Sequence, residues 1–118
     1  MPALNYQKQF ADDVESGKKR QTVRAFRKDG RDPKPGQTLF HYTGMRTKAC
    51  RKLREDVCLD VRQVTIENDQ RVTVGAAALN WPEVKAFAKE DGFESTADFF
   101  DFFENTHGLP FNGLLIEW

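Results

Sequence analysis

A lysine and a threonine stand three residues apart, just after a glycine that is suited to end a helix. The pattern is Gly-x-Lys-x-x-Thr, formed by Gly17, Lys19 and Thr22. Glycine readily adopts the left-handed conformation that closes a helix, and the apolar residues ahead of Gly17 recur at helical spacing. A cation and a hydroxyl on such a short, bent segment can face one pocket, where they are suited to hold a phosphate, a carbonyl or a nucleobase edge.

The same residues also have a purely structural interpretation, and the pattern leaves both open. Lys18, Lys19 and Arg20 follow the predicted helix end, where cations interact favourably with the helix dipole. Thr22 opens a segment that alternates polar and apolar residues, as an extended strand does. The chemistry therefore depends on what the rest of the chain brings to this turn.

The cysteines and histidines show no metal or catalytic spacing. Cys50 and Cys58 have seven residues between them and form no CxxC motif, so we expect two ordinary thiols, no disulfide, no metal and no cofactor. His41 lies in a predicted strand and His107 in a predicted loop. Neither has the sequence neighbours of a catalytic triad, which favours a structural role for each.

The zero net charge conceals two halves of opposite sign. Residues 1–62 contain 15 Lys and Arg against 8 Asp and Glu, whereas residues 63–118 contain 3 against 10. Such asymmetry suggests a basic face that binds nucleic acid, although the halves could equally neutralise each other through surface pairs. The basic residues concentrate around Lys19 and in two predicted loops, 27–34 and 45–52, where phosphate contacts are expected.

Composition indicates a folded domain. Hydrophobic residues make up 39% of the 118 residues and Phe alone numbers 10, which is enough for a core without disulfides or metal. The sequence shows no apolar run of membrane-spanning length and no secretory signal pattern. We therefore expect one cytoplasmic domain over residues 1–118 with no membrane partner.

Periodicity and capping residues predict the elements that position the motif. Helices are predicted at 7–16, from the Asn80 cap to Gly92, and from Ser95 onward. Strands are predicted at 21–27, 38–42, 57–66, 71–74 and 111–118. The last of these is predicted to be a central strand. Asn80 with Glu83 is close to a capping box. The last helix carries a stripe of phenylalanines that we assign to the core. The predicted fold class is α+β, with a mixed sheet closed into a small β-barrel and flanking helices.

In order and spacing, these pieces resemble the ASCH domain family over nearly the full length. The resemblance rests on the first helix, the Gly17–Arg24 turn and strand, and segments 35–39, 88–93 and 113–118. It implies a PUA-like barrel that recognises RNA or a nucleoside at a cleft floored by the Gly-x-Lys-x-x-Thr turn. The candidate nucleic-acid-binding residues are then Lys18, Lys19, Arg20 and Arg24.

One branch of the same family consists of acetylcytidine amidohydrolases, and similarity to it implies a second function. In that branch the motif Thr is the nucleophile, the motif Lys its base, and a distant Glu the acid and base. By position the acid falls at Asp91, with Glu90 beside it; Asp is shorter than Glu, and a general acid must come within hydrogen-bond reach of the leaving group. The candidate catalytic residues are Lys19, Thr22, Asp91 and Glu90, with Arg24 binding an oxyanion or a phosphate. Which acid faces the cleft, and whether the site is catalytic, stay open.

Overall fold

Two β-sheets form the framework of the protein in the computed structural model, which describes residues 2–118. The strands are β1 (Ala3–Tyr6), β2 (Gln21–Ala25), β3 (Thr38–Thr43), β4 (Arg51–Val57), β5 (Asp60–Ile66), β6 (Val72–Val74), β7 (Ala77–Ala78) and β8 (Phe111–Glu117). The helices are α1 (Lys8–Ser16), α2 (Trp81–Glu90) and α3 (Thr96–His107). The fold is therefore a small mixed α+β fold, which agrees with the α+β part of the prediction; the strands described are arranged as two sheets.

The two sheets differ in strand direction and in size. The smaller sheet has the order β1-β3-β4, with β1 parallel to β3 and β3 antiparallel to β4. The larger sheet has the order β2-β8-β5-β6-β7, and all of its pairs are antiparallel. β8 thus lies between β2 and β5, so the prediction of a central strand at the end of the sequence is confirmed.

The connection from α1 to β2 has the predicted form. Gly17 has a φ of 82° and closes α1, with its N–H donating to the Val14 carbonyl. The Lys19 N–H then donates to the Asp13 carbonyl at 2.9 Å, and β2 begins at Gln21. Because the backbone reverses within these few residues, the Lys19 side chain is turned inward against the strand that follows.

The predicted helix caps are also confirmed. The Asn80 side chain accepts from the Glu83 N–H, while the Glu83 side chain accepts from the Asn80 N–H, which makes a complete capping box. Ser95 caps α3 by accepting from the Asp98 N–H. α2 ends at Glu90, slightly before the predicted end at Gly92. These caps fix where α2 and α3 begin.

Several predicted boundaries are wrong. Residues 3–6 form β1, which is too short to show a period and was not predicted. Arg51 and Lys52 belong to β4 rather than to a loop, and charged residues hide the alternation of that strand around the buried Leu53. Strand β2 ends at Ala25, before the predicted end at residue 27, and His107 is the last residue of α3 rather than part of a loop.

The extended segment predicted at 57–66 is divided between the two sheets. β4 ends at Val57 and β5 begins at Asp60. Between them, Cys58 exchanges backbone hydrogen bonds of 2.8 Å with Gly36 and Gln37. These bonds hold the chain where it crosses from the smaller sheet to the larger one. The alternation of polar and apolar residues continues across this crossing, so the sequence does not indicate where one strand ends and the next begins.

The phenylalanine stripe of α3 is largely core, as predicted. Phe99, Phe100 and Phe103 are buried in the hydrophobic core. Phe102 is only partly buried and packs against the Phe10 and Phe93 rings at centroid distances of 5.9 and 5.3 Å. α3 thus contributes three aromatic side chains to the core, and its Phe102 packs beside Phe10 and Phe93.

We expect β8 to be the most sensitive strand to truncation of a side chain. Leu115 is only 2% exposed, so Leu115→Ala is expected to lower the free energy of unfolding by about 2–5 kcal/mol. Leu59→Ala removes the same atoms from a side chain that is 67% exposed, and it is expected to change that free energy by less than about 0.5 kcal/mol. Urea unfolding of both variants measures the difference, and equal losses would contradict the central position of β8.

Candidate functional site

Residues from well-separated segments line one cavity of about 270 Å³. The turn after α1 contributes Lys19, β2 contributes Thr22 and Arg24, the end of β1 contributes Tyr6, and the residue after α2 is Asp91. Aromatic side chains complete much of the lining: Phe10, Phe93, Phe102 and Phe103. A cavity of this size is slightly smaller than those that hold drug-sized ligands, and apolar walls with a few polar groups are typical of a small-molecule site.

Lys19 and Asp91 form a buried ion pair at this cavity. Each residue is only 3% exposed. Lys19 Nζ lies 3.2 Å from Asp91 Oδ1 and also donates to the Asp91 backbone carbonyl. The pair joins the turn after α1 to the end of α2, across 72 positions of the sequence.

Gly92 allows this close approach. It has a φ of 98°, which L side chains rarely adopt. A Cβ atom at this position would lie 3.0 Å from Phe10 Cδ1 and 3.4 Å from Lys19 Cδ. A larger residue would therefore press on the side chains that hold the ion pair together.

Burial pushes the two members of this pair towards their neutral forms. Desolvation lowers the pKa of the Lys19 ammonium, and the neighbouring Asp91 carboxylate opposes that shift. Desolvation likewise raises the pKa of Asp91, and Lys19 opposes it. Two charges in a poorly hydrated site are costly even when paired. Burial therefore makes the Lys19 ammonium easier to deprotonate, and the Asp91 carboxylate easier to protonate, than either group would be in water.

Thr22 is held by Arg24 on the same face of β2. Arg24 Nε donates to Thr22 Oγ1 at 3.0 Å, and Thr22 is 5% exposed. Residues two apart in a strand point to the same side, which is why these two side chains meet. Because the Thr22 oxygen accepts this bond, its own proton remains available for a base or a ligand.

Behind Arg24 lies a chain of polar contacts that the sequence does not predict. The Arg24 guanidinium lies over the Tyr6 ring, 4.7 Å from its centroid. Tyr6 Oη lies 2.9 Å from His41 Nδ1, and His41 Nε2 lies 3.2 Å from Asp56 Oδ2. Asp56 in turn pairs with Arg54 Nε at 2.8 Å. β1 was not predicted and Asp56 was assigned to no site, so the sequence offered no signal that these residues meet.

The remaining predicted site residues lie elsewhere. Glu90, Lys18 and Arg20 line a separate depression of about 310 Å³. All three are exposed, and Arg20 Nε donates to the Trp118 carbonyl at 3.1 Å. The structure thus brings Lys19, Thr22, Arg24 and Asp91 together, and it separates Glu90, Lys18 and Arg20 from them. Of the two candidate acids, Asp91 is the one that lines the cavity.

His107 is a further cavity residue that sequence reasoning did not identify. It lines the cavity together with Thr106 at the end of α3. Its ring lies 5.8 Å from the Phe103 ring in a stacked geometry, and partial burial lowers its pKa. Only the return of α3 to the cavity places it there, so its position along the sequence carried no signal.

The part of the chain that the structure describes contains no candidate site for a metal ion. Within residues 2–118 no group of three or more His, Cys, Asp or Glu side chains is arranged to hold an ion. Cys50 is exposed and Cys58 is buried, and both are free thiols. Among the same residues, no helix combines the length and the apolar character that crossing a membrane requires.

Comparison with known proteins returned no match to this chain among protein-family models, curated proteins or solved structures. Function is therefore inferred from the geometry of the cavity and from the sequence motif whose Lys19 and Thr22 line it.

The burial of His41 predicts a loss of stability in acid. Desolvation lowers the pKa of this ring to about 4; Arg54 and Arg24 act in the same direction and Asp56 opposes them. In the unfolded chain the pKa returns to its ordinary value of about 6.5. Between these values the unfolded chain binds the extra proton, so this residue lowers stability as pH falls from about 6.5 to 4, by at most about 1.4 kcal/mol per pH unit.

Urea unfolding at several pH values measures this effect. His41→Gln, which does not titrate, is expected to show a shallower fall in stability over that range than the unmodified protein. His107→Gln is the matched control: desolvation lowers the pKa of His107 in the same direction, but this ring is far more exposed than His41, so a smaller change of slope is expected. Identical slopes for the unmodified protein and His41→Gln would show that His41 does not titrate as its burial implies.

Proposed function

We propose that this chain is a PUA-like domain of the ASCH type that hydrolyses an amide on a nucleoside-sized ligand. The observation that carries the proposal is that Lys19, Thr22 and Asp91 line the same small cavity. The resemblance to the ASCH family supplies the substrate class, an acetyl group on the exocyclic amine of cytidine, and the finer expectation that the strands approach a PUA-like barrel. The aromatic lining from Phe10, Phe93 and Phe102 suits a flat ring.

Thr22 is the proposed nucleophile and Lys19 its base. A threonine hydroxyl is a weak nucleophile until a base removes its proton. Burial lowers the pKa of Lys19, which makes the neutral amine, the form that can take that proton, easier to reach than in water. As it does so, the Thr22 oxygen attacks the carbonyl carbon of the amide, and the carbonyl oxygen becomes an oxyanion.

Asp91 is the proposed acid. Burial raises its pKa, so the carboxyl group can carry a proton to the leaving nitrogen. When the bond between the carbonyl carbon and nitrogen breaks, the nitrogen takes that proton and leaves as the free amine, with the acyl group as an ester on Thr22. Water, deprotonated by the Asp91 carboxylate, then attacks the ester, and Thr22 regains its proton from Lys19 as the carboxylic acid leaves.

Arg24 has two roles in this scheme. Its Nε donates to the Thr22 oxygen at 3.0 Å, which orients the nucleophile. Its two terminal nitrogens are the donors that remain to stabilise the negative charge that develops on the carbonyl oxygen. A cation placed in advance in a poorly hydrated site is effective in this role because it need not reorganise during the reaction.

The proposal predicts acetate release from N4-acetylcytidine. Thr22→Ala and Lys19→Ala are each expected to lower kcat by at least about 100-fold, because each removes a group that acts in the transition state. Asp91→Asn, made as a single substitution, is expected to lower kcat by a similar factor. Acetate release by purified protein is the measurement, with circular dichroism to show that each variant is folded.

Two substitutions serve as controls for this experiment. Glu90→Gln removes the neighbouring carboxylate, which is exposed and lines a different depression, and it is expected to leave the rate near that of the unmodified protein. Thr22→Ser keeps a hydroxyl and is expected to keep part of the rate. Absence of acetate release by the unmodified protein above buffer would reject hydrolysis of this substrate.

Recognition of RNA is the second candidate function, and the exposure of Lys18 and Arg20 favours it. Both are exposed and line a different depression; Arg20 donates its Nε to the Trp118 carbonyl, which leaves its terminal nitrogens to reach phosphates. Lys19 and Arg24 line the cavity itself, where they would contact a nucleotide that enters it. This arrangement would allow an RNA strand to bind along the surface while one of its nucleotides occupies the cavity.

RNA recognition predicts a strong dependence on salt. Affinity for a short single-stranded RNA is expected to fall steeply as salt rises, and Lys18→Ala and Arg20→Ala are each expected to lower the slope of log K against log salt by about one unit or less. Lys85→Ala, which removes an exposed lysine of α2, is the matched control and is expected to leave the slope unchanged. Fluorescence anisotropy across a salt series measures it, and binding that is indifferent to salt would contradict this function.

A further inference from the structure

A continuous chain of contacts leads from the nucleophile into the smaller sheet. Thr22 Oγ1 accepts from Arg24 Nε at 3.0 Å, and the Arg24 guanidinium lies 4.7 Å from the centroid of the Tyr6 ring. Tyr6 Oη lies 2.9 Å from His41 Nδ1, and His41 Nε2 lies 3.2 Å from Asp56 Oδ2. The proposed reaction uses only the first two of these residues, and the others need a separate explanation.

The chemistry of these groups determines which atom donates and which accepts in each contact. His41 Nε2 and Asp56 Oδ2 lie 3.2 Å apart without forming a hydrogen bond, but the negative charge of this carboxylate, which is paired with Arg54 and cannot donate, favours the His41 tautomer that carries its proton on Nε2. His41 Nδ1 then presents a lone pair to Tyr6. Burial raises the pKa of Tyr6 far above its ordinary value, which keeps its hydroxyl protonated. The Tyr6 O–H therefore donates to His41.

This hydrogen bond has two consequences for Arg24. It fixes the Tyr6 ring, because its partner His41 is completely buried and lies 4.4 Å from the Trp118 ring, centroid to centroid. It also shifts electron density from the O–H bond towards the Tyr6 ring, which strengthens the attraction between the ring face and the Arg24 guanidinium. The guanidinium is thus held from below by the ring while its Nε is directed at Thr22.

We propose that Tyr6 and His41 are positioning residues, which hold the Arg24 guanidinium on the Thr22 hydroxyl and so set the orientation of the nucleophile. The assignment rests on the proposed function for its effect on catalysis. The geometric part of it, the restraint on Arg24, is independent of any reaction. Neither residue exchanges a proton with the substrate in this scheme.

The restraint is tested by hydrogen exchange of the Arg24 Nε–H, followed by NMR on the full chain. Tyr6→Phe keeps the ring and removes the hydroxyl, and His41→Gln removes the imidazole that accepts from it. Each is expected to speed exchange of this proton with water by roughly fivefold, as befits a weakened hydrogen bond of typical net strength. Tyr42→Phe, the same change at the residue after His41, is the matched control and is expected to leave the exchange rate unchanged.

Kinetics provide the second measurement. Tyr6→Phe and His41→Gln are expected to lower kcat for N4-acetylcytidine about 10- to 100-fold with KM within about twofold, because a misplaced nucleophile affects the reaction more than binding. Unfolding would instead reduce the fraction of active protein, which circular dichroism of each variant detects. A rise in KM with kcat unchanged would overturn the positioning role.

The two readouts keep this inference separate from the proposed function. If the unmodified protein releases no acetate, the proposed function fails, and the exchange of the Arg24 Nε–H still decides whether Tyr6 and His41 restrain Arg24. Exchange that is equally slow in the unmodified protein, Tyr6→Phe and His41→Gln would overturn the inference even if the enzyme is active.

Discussion

The site depends above all on the burial of Lys19 against Asp91. Each side chain is almost fully removed from water. The free-energy cost of an unpaired charge in such a place would be prohibitive. The cost is offset only when the two groups meet each other, which requires the turn after α1 and the end of α2 to lie side by side. Gly17 and Gly92 make this possible, because their positive φ values allow both segments to turn sharply towards the cavity.

The second constraint is the pairing of β2 with β8. Thr22 lies opposite Ile116 and Arg24 opposite Leu114, so a slip of one residue would point both polar side chains to the other face of the sheet. The central position of β8 secures this register from its other side through β5. Tyr6 reaches the same cavity from the smaller sheet, and the candidate site is therefore a joint product of both sheets.

The choice between two adjacent acids shows how the end of a helix sets chemistry. Successive residues of a helix point about 100° apart, so Glu90 and Asp91 cannot both face the cavity. Asp91 takes the C-cap position of α2 and turns inward, while Glu90 remains in solvent. The shorter side chain of Asp91 is sufficient here because its backbone already lies against Lys19, whose Nζ bonds both to the Asp91 carbonyl and to its carboxylate.

Four features could be predicted from the sequence alone: α1 with its end at Gly17, the capping box of Asn80 with Glu83, the central strand β8, and the turn that carries Lys19 and Thr22. These features depend on spacing, capping and backbone preference within a few residues, which a single sequence expresses directly. The folded chain was needed to show that Asp91 rather than Glu90 lines the cavity, and that Tyr6, His41 and Asp56 lie in contact behind Arg24. Those outcomes arise from contacts between residues that are distant in sequence: the partner that offsets the burial of each charge is supplied by another element, and no local pattern names it.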